Sequence, residues 1–343
     1  MNAEFIAFTE RGLQQARRLA LCLPEGAQAR VARGFGPGKE ALSAWVERAF
    51  AEADALVFVG AAGIAVRAIA PHAASKAKDP AVIVADEAGR WVIPLLSGHI
   101  GGANRLARLL ALGTGAQAVL TTATDVRGVW AVDDWAVSHG MVVANPERIK
   151  GVSSRLLAGG RVRLACELPL EGRPPAGVDI IDAGGVSAGF PAPDVAVSPY
   201  DRPCKDEALR IVPRRVVVGV GCRRGASEES LGKAIDGALA LARVLPSAVK
   251  EVRSIDLKRD EQGLLGLARH RGWPLRFFSS DELAAVPGDF PASAFVERVA
   301  GVDNVCERAA AAQGEAVILP KTIIEGAAVA VSLDECPIRW NEE

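Results

Sequence analysis

Along the first half of the chain, short apolar runs alternate with stretches in which apolar residues return every three or four positions. The runs "EFIAFT" (4–9), "ALVFVG" (55–60), "AVIVAD" (81–86), "RWVIPLL" (90–96) and "AQAVLTT" (116–122) are bounded by turn residues, which predicts buried strands. Between them, "KEALSAWVERAFAEA" sets Leu42, Trp45, Val46 and Ala49 on one helical face, and "ANRLARLLAL" does the same with Leu106, Leu109 and Leu110. This alternation predicts an amino-terminal α/β domain with a mainly parallel sheet over residues 1–144. From about Asn145 the texture changes. The stretch "ELPLEGRPPAGVDIIDAGGVSAGFPAPDVAVSPYDRP" is rich in Pro and Gly with only short strand candidates, so residues 145–212 read as a small irregular middle segment. A strand ending in glycines and followed by a helix, "RRVVVGVGCRRGASEESLGKAIDGALALARVL", opens a carboxy-terminal α/β domain over residues 213–343. Further strands are predicted there in "VKEVRSIDLK", "PLRFF" and "AVILPK".

Length and charge narrow the picture. The 343 residues, half of them apolar, can bury two to three moderate cores at roughly 100–200 residues per domain. Lys+Arg 40 against Asp+Glu 41 gives a net charge of −1, which argues against the broad basic surface of a nucleic-acid binder. The longest uncharged apolar run, "ALVFVGAAGIAV", is 12 residues, short of the roughly 20 that cross a bilayer. The start "MNAEFIAFTE" has neither a basic head nor an apolar signal segment, so no membrane association and a cytoplasmic location are expected. Six scattered cysteines without a CxxC pair predict neither a metal site nor a disulfide framework.

Two strand-to-helix junctions come near known anion-binding motifs and miss. "GVGCRRG" (219–225) has Arg224 where a dinucleotide fingerprint needs its third glycine, and "GPGKE" (36–40) has Glu40 where a phosphate loop needs Ser or Thr. A nucleotide-dependent oxidoreductase is therefore the weakest reading.

The stretch "SGHIGGANRLARLLALGTGAQAVLTTATDV" (97–126) asks for chemistry that core packing does not require. Ser97 and Gly98 lead into His99, and Gly101 and Gly102 let a ligand approach the main chain, while Asn104 in the first helical turn offers both donor and acceptor. His99 just before a helix start is expected to have a lowered pKa and to be a neutral general base that activates water. Thr121, Thr122, Thr124 and Asp125 follow an apolar strand, at the carboxyl end where open α/β sheets place ligands. Each also has an ordinary explanation: a turn histidine, strand threonines, and an aspartate capping the helix around "VWAVDDWAV". Taken together on two junctions they predict one site, with His99 close to Asp125. On spacing alone, Arg67, Lys76 and Asp79 in "GIAVRAIAPHAASKAKDPAV" read as a solvated loop.

The sequence from "GIAVRAIAPHAASKAKDPAV" through "LLSGHIGGANRLARLLALGTGAQAVLTTATDV" resembles the amino-terminal domain of the CbiG family, the cobalt-precorrin-5A hydrolases of cobalamin biosynthesis. "VVGVGCRRGASEESL", "SIDLKRDEQGLLGLARHRGWPLRFFSSDEL", "GVDNVCERAAAA" and "VILPKTII" resemble its carboxy-terminal domain, which is also similar to CobE. Cys306 and Arg308 depart from the family pattern without touching the chemistry. The resemblance implies hydrolysis of the δ-lactone that links the ring A acetate to C20 of a cobalt-bearing tetrapyrrole, with the C20 fragment leaving as acetaldehyde. It implies that cobalt arrives with the substrate and no further cofactor is needed, and it leaves room for transient contacts with other pathway enzymes. Arg67, Lys76, Arg223, Arg224, Lys258 and Lys321 are the cations that could meet the acetate and propionate groups of the macrocycle, and His99 or His72 could touch its cobalt. A non-catalytic tetrapyrrole carrier is the alternative.

Overall fold

The structure, a computed structural model, describes residues 1–75, 78–181, 192–202 and 208–340; Lys76 lies outside the described residues. The chain divides into two compact units, one of Met1–Ser138 with Ile149–Gly160 and the other of His139–Arg148 with Arg161–Glu343.

The first unit runs β1 (Asn2–Ala7), α1 (Glu10–Ala20), β2 (Gln28–Arg33), α2 (Leu42–Glu52), β3 (Ala55–Val59), α3 (Ala62–Ile69), β4 (Ala81–Ala85), β5 (Trp91–Leu96), α4 (Ala103–Thr114), β6 (Gln117–Ala118), α5 (Ala123–Arg127), α6 (Val132–Ser138) and α7 (Ile149–Leu157). One sheet of order β2-β1-β3-β4-β5-β6 forms its middle layer. Strand β3 is apolar at every position because both faces are covered. Val57 joins Phe5 and Ile83 under Leu13, Leu19, Leu106 and Leu110, whereas Leu56 and Phe58 join Ile6 and Val84 under Trp45, Val46 and Ile69. Each such large side chain removed from water contributes roughly 1.5–3 kcal/mol. The helix predicted from "ANRLARLLAL" forms, but Leu109 is 36% exposed, and Ala107 and Ala111 fill the buried face beside Leu106 and Leu110.

Strand direction decides where the site falls. Strands β2, β1, β3 and β4 are parallel, as expected. The turn after β4 is closed by Asp86, whose Oδ1 accepts the N–H groups of Arg90 and Trp91, both at 2.7 Å, and β5 returns antiparallel to β4. Strand β6 is then parallel to β5 across α4. Leu96 therefore pairs with Val82 at the start of β4. The loops after β5 and β6 share one end of the sheet, the end where β1, β3 and β4 begin.

In the second unit, the short strand candidates of the middle segment do pair. Strands β7 (Val142–Val143), β8 (Val162–Cys166), β10 (Val178–Ile181), β11 (Val195–Val197) and β12 (Leu209–Val212) form a sheet of order β10-β8-β11-β12-β7, and among the described residues the Pro and Gly of the segment fall in the connections. β9 (Leu170–Glu171) pairs with β18 (Ile338–Arg339). The remaining sheet has order β15-β14-β13-β17-β16, built from β13 (Val216–Gly221), β14 (Val249–Ile255), β15 (Leu275–Phe278), β16 (Ala316–Ile324) and β17 (Ala327–Leu333). Helices α8 (Glu228–Leu241), α9 (Gln262–Arg271), α10 (Ser280–Ala284), α11 (Ala294–Ala300) and α12 (Val305–Ala310) accompany it. Among the described residues, no helix is long and apolar enough to cross a membrane.

Candidate active site

The loop between β5 and α4 is shaped by close approach. A Cβ on residue 101 would lie 2.3 Å from that of Ser97, so only glycine fits, and Gly102 caps α4 at φ 78°. Ser97 itself is left-handed, at φ 57°, and its hydroxyl donates to the carbonyl of Asp79 at 2.9 Å. The Asp79 carboxylate accepts the N–H groups of Ala74 and Ser75 at 3.0 and 2.9 Å. Asp79 thus ties the α3–β4 loop to the loop of His99. The loop's later amides turn back on it: Gly102 N–H donates to His99, Ala103 to Ser97 and Asn104 to Gly98. Among the described residues, the amides of Gly98, His99, Ile100 and Gly101 donate to no main-chain carbonyl.

Asp125 is the hub of the site. Its Oδ2 accepts Asn104 Nδ2 at 2.8 Å and the Thr122 hydroxyl at 2.5 Å, and its Oδ1 accepts the Arg108 guanidinium. Asn104 Nδ2 also donates to Thr122 Oγ1 at 2.8 Å. Asn104, 3% exposed, therefore spends its amide hydrogens on holding Thr122 and Asp125 and has none left over for a substrate oxyanion. His99 Nε2 lies 3.3 Å from Asp125 Oδ2 and 3.4 Å from the hydroxyl of Thr124, which is buried. The expected proximity of His99 and Asp125 is present. Thr121 is exposed and stands apart from these bonds.

The charge on His99 is opposite to what its place before a helix suggests. Nδ1 faces Asp133 Oδ1 at 3.2 Å. Pairing with Asp133, reinforced by Asp125 and opposed by burial, raises its pKa to about 9, so the ring is an imidazolium at neutral pH and not a neutral base. Two nearby carboxylates outweigh the partial charge of one helix end. For Asp125, burial works against ionisation, but the bonds from Thr122 and His99 and the charge of Arg108 hold its pKa below the usual range. Asp134, 3.9 Å from Arg108 Nη1, has its pKa raised by burial. Asp133, Asp134 and Arg108 were not legible as site residues. An acidic pair on a helix reads as a solvated face; Arg108, one turn beyond Asn104, was the available signal.

The remaining predicted cations are dispersed. Arg67 is exposed and donates to Gly63 O of its own helix at 3.2 Å. Arg223 is exposed, and Arg224 pairs at 3.6 Å with Asp260, not with the helix-start glutamates. Glu229 pairs instead with Lys233 at 2.8 Å, and Glu228 with His270. Lys258 lies 3.5 Å from Glu261, whose carboxylate also accepts Gly225 N–H at 2.8 Å. Lys321 is half-buried on β16, its main-chain N–H donating to Glu307.

Fold and site define a class: an α/β protein with a partly buried ionic cluster beside the loops at the carboxyl ends of a βαβ unit. Three family models narrow it, "Cobalamin synthesis G N-terminal" over residues 44–125, "Cobalamin biosynthesis central region" over 130–213 and "Cobalamin synthesis G C-terminus" over 216–332. A cobalt-precorrin-5A hydrolase of Salmonella typhimurium is 34% identical over 92% of this chain and 93% of its own length. One from Priestia megaterium is 32% identical over 74% of this chain and 71% of its own. Protein CobE of Sinorhizobium sp. is 30% identical over 36% of this chain and 82% of its own length. The chain belongs to the cobalamin synthesis G (CbiG) family.

Proposed function

We propose that the chain hydrolyses cobalt-precorrin-5A, the reaction for which its relatives are named. The observation that carries this is the 34% identity that runs over nearly the whole of both chains. In this reading water attacks the carbonyl carbon of the ring A δ-lactone. The amides of Gly98 to Gly101 supply hydrogen bonds to the oxygen that becomes negative, a contribution that preorganised donors make most effectively. Proton traffic falls to His99, with Asp125 holding the ring and Asn104, Thr122 and Arg108 holding Asp125. Once the lactone is open, the C20 carbinol gives up its hydroxyl proton to solvent, the bond from C20 to the macrocycle breaks in a retro-aldol-like step, and acetaldehyde leaves. The electron pair goes to the cobalt macrocycle, so the protein needs no cofactor of its own.

The substrate's rim of carboxylates suits local cations. Arg223 and Arg224, exposed after β13, are the candidates for that role in the carboxy-terminal part, whereas Lys258 is engaged by Glu261. The work is cytoplasmic in this reading, with transient contacts to neighbouring pathway enzymes. The test is to mix purified protein with cobalt-precorrin-5A and follow the mass gain of water, the loss of the C20 fragment and the release of acetaldehyde. Tight binding without turnover would make the chain a carrier instead.

A further inference from the structure

Both ring nitrogens of His99 face carboxylate oxygens, Nδ1 toward Asp133 at 3.2 Å and Nε2 toward Asp125 at 3.3 Å. A carboxylate oxygen can only accept, and buried Asp133 Oδ1 has no hydrogen-bond partner among the described residues, so its compensation is the charge of the ring beside it; two carboxylates, one at each nitrogen, favour a ring that bears both hydrogens and has no lone pair to offer water. The two carboxylates are not equivalent. Asp125 is already bonded by Asn104, Thr122 and Arg108 and would stay in place without His99. Asp133 is 6% exposed on α6 and reaches the ring from the other side. The other charged groups around the cluster are Asp134 on α6 and Arg105 and Arg108 on α4.

We propose that Asp133 is a positioning residue that orients His99 and keeps it charged, so that Nε2–H is the proton donor to the oxygen leaving the lactone carbonyl carbon. The inference rests on the hydrolase reading above. Water oxygen bonds to the carbonyl carbon and the bond from that carbon to the C20 oxygen breaks. The electron pair stays on the C20 oxygen, which takes the Nε2 proton. Of the two protons from water, one restores His99 and one passes to solvent as the new carboxylic acid ionises. The roles of the two aspartates separate: Asp125 belongs to the network that touches the reacting side of the ring, and Asp133 acts only through His99. Asp133 also falls in the stretch matched by the central family model, while His99 and Asp125 fall in the amino-terminal one.

The experiment pairs a titration with kinetics in the full chain. The imidazole nitrogens are followed by NMR from pH 6 to 10 in wild type, Asp133→Asn and Asp133→Glu, with His99→Gln assigning the signal among the 4 histidines. Wild type should show both nitrogens protonated at pH 8 and a midpoint near 9. Asp133→Asn should lower the midpoint by a pH unit or more, and Asp133→Glu should restore part of it. With cobalt-precorrin-5A, the limb where kcat falls with rising pH should move down with the NMR midpoint. At pH 8, kcat should drop about twofold for a shift of one pH unit and about tenfold for a shift of two, with KM little changed, and recover as the pH is lowered. A merely structural Asp133 would lower activity at every pH without moving the limb, and that result overturns the proposal. An unchanged His99 midpoint in Asp133→Asn also overturns it. No turnover by wild type at any pH would instead defeat the hydrolase reading, and the titration would still report whether Asp133 sets the charge of His99.

Discussion

Raising the pH from 6.5 toward 9 should weaken the folded state through His99. In the unfolded chain this imidazole titrates near 6.5, whereas beside Asp133 and Asp125 it titrates at about 9. Below 6.5 both states are protonated and the contribution of the pair to stability is complete. Between the two values the folded state holds a proton that the unfolded state has lost, so stability falls as pH rises; above about 9 the contribution is gone. At about 1.4 kcal/mol per pH unit, the interval corresponds to about 3 kcal/mol, an upper figure that the 15% exposure of the side chain trims only slightly. That is a sizeable part of the roughly 5–15 kcal/mol that stabilises a typical domain. The assay is urea unfolding at pH 6.5, 8 and 9.5 for wild type and His99→Gln, reading the difference between them so that other titrating groups cancel. Wild type should lose stability relative to the variant across that range. Parallel pH profiles for the two proteins would refute the reasoning, because they would mean that the ring gains nothing from its carboxylates on folding.

Gly101→Ala would place a methyl 2.3 Å from Ser97 Cβ and force the loop open; turnover should fall by at least about tenfold, and an unaltered rate would remove the loop amides from the reaction. Asn104→Ala removes the bonds that hold Thr122 and Asp125 and should cost about 1–3 kcal/mol in denaturant titration, together with most of the activity. Arg253 on β14 is fully buried and bonds Glu315 through both Nη atoms, at 3.0 and 2.6 Å, so Arg253→Met should destabilise the carboxy-terminal part by about 3–5 kcal/mol by leaving that carboxylate unpaired. The double variant Arg223→Ala, Arg224→Ala should leave the melting temperature unchanged while weakening substrate binding by about tenfold or more; unchanged affinity would confine recognition to the amino-terminal unit.

The strands were legible because a strand covered on both faces must be apolar throughout, as β3 is, and few other segments of five residues are. Helix faces were legible at Trp45, Val46 and Leu110, less so at Leu109, where alanines fill the contact and the larger residue points outward. The middle segment hid a sheet because strands as short as Val195–Val197 carry too few residues to show a period. In the site, His99, Gly101, Asn104 and Asp125 stood out because glycines and polar residues at strand ends have no packing reason to be there.

By itself the sequence determined what depends on near neighbours along the chain: the α/β alternation, the glycine-shaped loop before α4, the helix that presents Asn104, and the family to which these motifs point. Tertiary structure alone decided the properties that depend on distance through space. The Asp86 turn reverses β5 and so carries the site to the end of the sheet where the parallel strands begin. Asp133 arrives from a separate helix to within 3.2 Å of His99 and makes it a cation. Coulomb energy falls with separation in space and takes no account of separation in sequence, so a residue that looks like a neutral base in its local context is turned into an acid by a carboxylate that the fold brings to it.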